Sequence, residues 1–272
     1  ASTANEFNAM ERGLNGGTVL PAPGGDPVLN PNVLPTGRNM YSVNAETTPN
    51  PRAWEDGKRL AEATLKQYTG KHGEYPRKVS YTFWAGEFIT TEGATLAQVF
   101  WMLGVEPVRD GQGRVVDLRL VPSEELGRPR INVVVQVSGQ LRDIAGSRLK
   151  LLTDAVRLAS EAKDEAYPNY VASGTVLQEK LLVEKGTSPK CAREMSVMRV
   201  FGPVNSGYST GIMGYTEHSG SWEDEKEIAQ GYLNNMGAAY GDEDNWGEVL
   251  KDLFASALSE TDVVIQPRQS NT

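Results

Sequence analysis

The sequence predicts an α/β protein: a mainly parallel sheet flanked by helices, preceded by an irregular segment rich in proline and glycine. Three observations carry this. Residues 131–137 (Ile-Asn-Val-Val-Val-Gln-Val) form a nearly continuous apolar run bounded by Pro129 and by Gly139. Such a run reads as a strand covered on both faces, as in a parallel sheet. Strand-like runs alternate with segments of helical apolar spacing along most of the chain, which is the pattern of helix-connected parallel strands. Between residues 13 and 51, Gly16-Gly17, Pro21, Pro23-Gly24-Gly25, Pro27, Pro31, Pro35 and Gly37 break any helix or central strand. We therefore expect an irregular wrapping segment over residues 1–51 and one α/β domain over 52–272. Residues 1–6 read as a cleavage remnant.

The elements follow in order. Asn50 is a good helix cap and Pro51 suits the first helical position, with Trp54, Ala61, Leu65 and Tyr68 at helical spacing behind them. Residues 79–84 read as a strand and 85–93 as a loop. A helix over 94–103 carries Leu96, Val99, Phe100 and Leu103 on one face and stops at Gly104. A strand, an Asp110-Gly111 turn and a second strand fill 105–121, and the central strand follows. Beyond Ile144 the chain turns helical: Leu151, Leu152, Ala155, Val156, Ala159 and Ala162 form a stripe. Ser188-Pro189 opens a helix running toward Val200, while Val200-Phe-Gly-Pro203 does not read as a strand. Ser221-Trp-Glu-Asp224 has the form of a capping box for a helix through about Met236. A last helix over 249–258 leads to a short strand at 262–266. The chain stops just past that strand, an odd end for an α/β protein, so we expect a fragment.

Composition narrows the function. A chain of 272 residues with 39% hydrophobic content can bury a substantial core. A net charge of −8, with no basic stripe, argues against nucleic acid as a partner. No apolar run approaches a membrane span, and no signal peptide opens the chain. Cys191 is alone, so no disulfide forms within the chain, which suits a reducing compartment. Two histidines and one cysteine cannot assemble a tight His/Cys metal cage. No phosphate-binding glycine loop is present, and no Ser/His/Asp arrangement can be argued.

Candidate chemistry gathers at strand ends, because open α/β sheets bind ligands at the carboxyl ends of their strands. Ser138, Gly139, Arg142 and Asp143 fall there after the central strand, and Glu87 falls after strand 79–84. Asp143 could cap the helix beginning near Leu149 while Arg142 reaches a ligand carboxylate or Glu87. Arg128 and Arg130 could clamp a carboxylate in bidentate fashion, or serve structurally by pairing with Glu124, Glu125 or Asp143. Glycines near 207–214 would let backbone approach a ligand, or simply form a tight loop. His218, beside Glu217, Glu223 and Asp224, could hold a divalent ion loosely or be a plain surface histidine. His72 reads as a turn residue. Cys191 lies near a helix start but has no histidine to activate it.

Several motifs together resemble one family. They are Leu34-Pro-Thr-Gly-Arg-Asn-Met-Tyr-Ser-Val43, Ala94-Thr-Leu-Ala-Gln-Val-Phe-Trp-Met-Leu-Gly-Val105, and Glu124-Glu-Leu-Gly-Arg-Pro-Arg-Ile131 continuing to Ser138-Gly139 and Arg142-Asp143. Ser206-Gly-Tyr208 and Trp222-Glu-Asp-Glu225 follow. The resemblance, which runs to Asp262, is to the tetrapyrrole-binding large subunits of the ATP-dependent chelatases, those of cobaltochelatase and magnesium chelatase. It implies a subunit that binds a porphyrin- or corrin-type macrocycle and presents it for insertion of a divalent metal substrate (cobalt, magnesium or iron). ATP would be used by partner ATPase and metal-site subunits, which agrees with the missing phosphate loop. Family members are far longer than this chain, so it would be one segment of such a subunit. The form Pro35-Thr-Gly-Arg-Asn-Met-Tyr41 resembles the cobalt branch; the magnesium branch tends to carry Lys, Ile and His there.

Metal insertion needs deprotonated pyrrole nitrogens and a desolvated metal, tasks that suit carboxylates or a histidine near the ring plane. Their positions at strand ends therefore point to Glu87 and Asp143 as catalytic groups. Arg142, Arg128 and Ser138 would contact the ring's substituents, with Tyr208 and Trp222 stacking on the ring or packing in the core. His218 matches no family motif. Glu87 stands where relatives usually carry an uncharged polar residue, so two alternatives stand beside insertion. One is a haem-uptake relative that removes metal, and the other a non-catalytic tetrapyrrole-binding scaffold. A cytoplasmic location fits insertion; a periplasmic or membrane-associated one would fit the haem-uptake relative.

Overall fold

The computed structural model describes residues 2–24, 31–41, 43–163, 166–204, 210–220 and 222–267. Two compact units divide at Ala1–Asn44 and Ala45–Thr272. The division falls before residue 51 because Glu46 and Thr48 belong to the second unit: Arg148 pairs with Glu46 at 2.6 Å and donates to the Thr48 carbonyl. The first unit is more regular than its proline and glycine content suggests. Helix α1 (Ser2–Leu14) occupies the expected remnant, and strands β1 (Pro21–Pro23) and β2 (Asn39–Tyr41) pair in parallel. The Ser2 hydroxyl accepts the Thr36 N–H at 3.2 Å and so ties the start of α1 to the following loop.

The second unit opens with α2 (Pro51–His72), whose first turn is closed by the Asn50 carboxamide accepting the Ala53 N–H at 2.7 Å. Strand β3 (Lys78–Phe83) follows, then α3 (Ala85–Thr91), a helix where a loop is expected, then α4 (Ala94–Leu103). Gly104 ends α4 in the left-handed region at φ 72°, which glycine adopts without strain. Strands β4 (Val105–Arg109) and β5 (Val115–Leu120) make an antiparallel hairpin. The short α5 (Ser123–Leu126) precedes β6 (Asn132–Val137). Then come α6 (Gly139–Ser160), α7 (Tyr170–Glu184), α8 (Pro189–Met195), β7 (Val200–Gly202), α9 (Met213–Glu217) and α10 (Glu225–Met236). Strand β8 (Ala238–Ala239), α11 (Lys251–Leu258) and β9 (Val263–Ile265) complete the order.

The main sheet runs β8-β7-β6-β3-β9, with β9, β3, β6 and β7 parallel and only β8 antiparallel. Strand β6 is buried on both faces, as its sequence predicts: Val133, Val134, Val135 and Val137 are wholly buried. Its polar positions are satisfied. Gln136 donates to the Ser80 hydroxyl at 2.9 Å, and the Asn132 carbonyl oxygen accepts from the buried Arg199 at 3.0 Å. Burying each such valine contributes about 1.5–3 kcal/mol. Strand β7 corrects the sequence reading, since Val200 and Phe201 pair with Val135 and Gln136 of β6.

Helix α6 also starts earlier than its apolar stripe indicates. The Ser138 hydroxyl caps it by accepting the Leu141 N–H at 3.2 Å, so Asp143 is not the cap. The helix is broken at Ala145, whose φ of −140° is non-helical. Helix α10 is capped by Asp224, which accepts the Lys226 N–H; Ser221, the expected capping residue, lies outside the described residues. Where α2 crosses α4, Gly57 lies so close that a Cβ there would sit 2.4 Å from the Ala97 methyl and 2.7 Å from the Ala94 carbonyl.

Candidate functional site

The carboxyl ends of β3, β6 and β7 bring together Ser138, Arg142, Asp143, Pro203 and Tyr240. Capping by Ser138 places Arg142 and Asp143 near the start of α6, shortly past β6. Arg142, with only 12% of its side chain exposed, meets Asp143 through Nε and Nη2, both at 2.9 Å, while Asp143 is 45% exposed. Its Nη1 donates to the Tyr240 hydroxyl at 3.2 Å, and the guanidinium lies 5.2 Å from the Tyr240 ring centre. That hydroxyl in turn donates to the Pro203 carbonyl at 2.6 Å. Burial alone would lower the Arg142 pKa, but hydrogen bonds to Asp143 and Tyr240 outweigh it and raise the value. The guanidinium is thus a permanent, oriented cation at a strand end. It turns to Tyr240, not to Glu87.

Tyr240 is the functional candidate that sequence reasoning missed. It follows a two-residue strand between Gly237 and Gly241, where no periodicity signals a buried aromatic. Its ring meets that of Trp246 edge-on at 5.2 Å. Trp246 in turn walls a cavity of about 670 Å³ between hairpin β4–β5, the broken start of α6 and the loop after Gly241. Gly146 leaves room for that indole, since a Cβ there would stand 3.2 Å from it. Buried Arg148 and its partner Glu46 line the cavity, as do Lys150 and Asp154, which pair at 3.0 Å. A volume of this size lies within the range of about 300–1,000 Å³ common for ligand pockets.

Glu87 lies in the first turn of α3 with its carboxylate drawn back toward α4. Its Oε1 accepts from the Thr91 hydroxyl at 3.0 Å and the Thr95 hydroxyl at 2.7 Å. Its Oε2 is buried without a hydrogen-bond partner. Burial raises its pKa, and the threonine hydrogen bonds offset only part of that.

With this geometry established, the chain can be compared with known proteins. All of residues 1–272 match the CobN/magnesium chelatase family. The chain belongs to this family. It is similar to the chloroplastic magnesium-chelatase subunit ChlH of Oryza sativa subsp. indica, 36% identical over 98% of this chain and 19% of that protein. It is also similar to the aerobic cobaltochelatase subunit CobN of a Sinorhizobium species, 33% identical over 97% of this chain and 21% of the relative. Among solved structures, the catalytic subunit of cobaltochelatase from Mycobacterium tuberculosis superposes with a TM-score of 0.80 at 35% identity, covering 98% of this chain and 22% of that one. The chain thus spans about a fifth of the length of these relatives.

Other expected site residues fall away from the strand ends of this chelatase-family unit. Arg128 is 2% exposed, and it binds Glu62 at 3.0 Å and the Trp101 carbonyl at 2.7 Å, with its guanidinium 5.5 Å from the Trp101 ring centre. It precedes the amino end of β6, so it is a structural clasp on α2 and α4, and its partner is Glu62, not Glu124, Glu125 or Asp143. Arg130, wholly buried, donates to the carbonyls of Leu103, Gly104 and Val121.

Trp222 donates its indole N–H to the Tyr215 carbonyl and lines a groove that also includes Ser259. The Ser259 carbonyl accepts from Lys78, the first residue of β3, so this groove reaches the amino end of the sheet and Trp222 does not join Arg142. His218 ends α9 with Nδ1 3.2 Å from the Gly214 carbonyl. Among the described residues no group of three or more His, Cys, Asp or Glu side chains is placed to hold a metal ion. Tyr208 and its neighbours at 205–209 lie outside the described residues.

Proposed function

We propose that this chain is part of the macrocycle-handling large subunit of a metal chelatase, which inserts a divalent metal into a porphyrin- or corrin-type ring while partner subunits hydrolyse ATP. The observation that carries this reading is the family match along the whole chain. In it, Arg142 binds an acidic ring substituent and Tyr240 fixes its direction. Insertion exchanges two pyrrole N–H protons for one metal ion; Asp143, half exposed beside Arg142, would take them in turn and release each to solvent. Ser138 holds both residues in position as the cap of α6, while Trp246 offers an aromatic wall beside them.

Identity is similar to both metal branches, so the preference for cobalt rests on Pro35-Thr-Gly-Arg-Asn-Met-Tyr41. A cytoplasmic location suits the ATP-using partners; among the described residues no helix is long and apolar enough to cross a membrane. Metal removal remains a second reading, favoured by Glu87: burial raises its pKa, and a carboxyl with raised proton affinity is the better suited to deliver a proton to a ring nitrogen.

The test is an absorbance assay of the full-length protein with its ATPase partners, a metal-free ring, and cobalt or magnesium. Partner- and ATP-dependent metallation supports insertion. Arg142→Ala should then weaken ring binding more than folding, and Asp143→Asn should lower turnover with little loss of stability. Loss of metal from a loaded ring without partners would support removal, and tight binding without either reaction would leave a scaffold.

A further inference from the structure

Helices α10 and α11 leave an apolar groove of about 700 Å³ between them, walled by Ile212, Trp222, Ile228, Tyr232, Leu233 and Leu258. The polar groups of its two aromatics are turned inward. The Trp222 N–H is held by the Tyr215 carbonyl, and the Tyr232 hydroxyl reaches Gln136 on β6 at 3.4 Å. What remains facing the groove is mostly hydrocarbon and ring surface, interrupted by Glu225 and Ser259. Its one charged lining residue is Glu225, and the stretch that leads into it past Trp222 is acidic: Glu217, Glu223 and Asp224 stand exposed, with Lys226 paired to Asp224. Apolar walls repel no ligand by themselves, but this acidic stretch disfavours anything carrying carboxylates, which includes a tetrapyrrole with acidic side chains.

We propose that the groove between α10 and α11 docks an amphipathic, basic helix from a partner polypeptide. Apolar residues spaced i, i+3, i+4 and i+7 would fill the groove, and lysines or arginines on its flanks would meet these carboxylates. The charge match would accelerate encounter and fix orientation, while the buried apolar anchors would carry most of the affinity. At Ser259 this surface meets Lys78 at the amino end of β3, and none of the Arg142 cluster is among its walls.

The test uses the full-length chain and a labelled synthetic helix with leucines at those spacings and lysines elsewhere, read by fluorescence anisotropy. A copy with glutamates in place of the lysines is the control. Saturable, salt-sensitive binding of the basic helix alone is expected. Ala229→Arg, at an exposed groove position, should weaken it about tenfold or more, equivalent to about 1.4 kcal/mol, and Glu225→Lys should weaken it as well. Leu177→Arg, on the exposed face of α7, should leave it unchanged, and all three variants should melt like the parent. The proposal is overturned by equal binding of both helices, by binding indifferent to Ala229→Arg, or by no binding to the full-length chain. It is also overturned if the chain self-associates through the groove, so that Ala229→Arg abolishes a dimer.

Discussion

Glu87 keeps one oxygen in two threonine hydrogen bonds and leaves the other buried without a partner. Burial raises its pKa, so the folded protein holds the Glu87 proton more tightly than the unfolded chain does. Its favourable contribution is fully present below the unfolded value and is lost as pH rises through the folded one. Glu87→Gln should therefore raise the melting temperature at neutral pH, by an amount on the order of 1 kcal/mol in stability, and the gain should shrink below about pH 4. Melts at both pH values decide it; an equal gain at each would show that burial of the charge is not the cause. Tyr240→Phe removes the one hydroxyl that links Arg142 to the Pro203 carbonyl. A loss of about 1–2 kcal/mol in a denaturant titration is expected, together with weaker ring binding by the full-length protein. Unchanged ring affinity would show that Asp143 alone orients Arg142.

At the scale of elements, β6 carries the strongest expectation. Val134→Asp places an unpaired charge where both faces are sealed, which costs several kcal/mol, so the cooperative melt should be lost. A melt near the parent temperature would mean that β6 lies at an edge. Much of this architecture was legible in sequence because the signals are local. Asn50 with Pro51 marks the start of α2, and the apolar face of 94–103 closed by Gly104 marks all of α4. Strand β7 was not legible, because three residues followed by a proline become a strand only through pairing with β6 and β8. Helix α3 was hidden because it ends after seven residues at Glu92, which adopts φ 52° without being glycine. Of the site, position could be read and partners could not. The strand-end rule located Arg142 and Asp143, but Tyr240 comes from about a hundred residues away by a two-residue strand, and burial of Arg128 depends on α2 and α4.

For the whole molecule, the candidate cluster is only partly enclosed by this chain. Trp246 is 43% exposed and Asp143 is 45% exposed, whereas ligand pockets typically cover about 70–90% of a ligand's surface. Residues 1–272 alone are therefore expected to bind a porphyrin more weakly than roughly micromolar and to show no metal exchange. Absorbance titration checks this, and micromolar or tighter binding would mean that the cleft is complete here.

The contact of Gly57 with Ala97 has a genetic consequence. Because a methyl group at position 57 would overlap one at position 97, the two residues share a single volume across the α2–α4 crossing. Gly57→Ala should behave as a heat-sensitive allele, and Ala97→Gly should suppress it only in part, because it removes the methyl overlap but leaves the backbone of Ala94 and Gln98 in the way. In a suppressor screen at the restrictive temperature, recovery of suppressors only at positions remote from α4 would show that α2 yields by sliding along its partner.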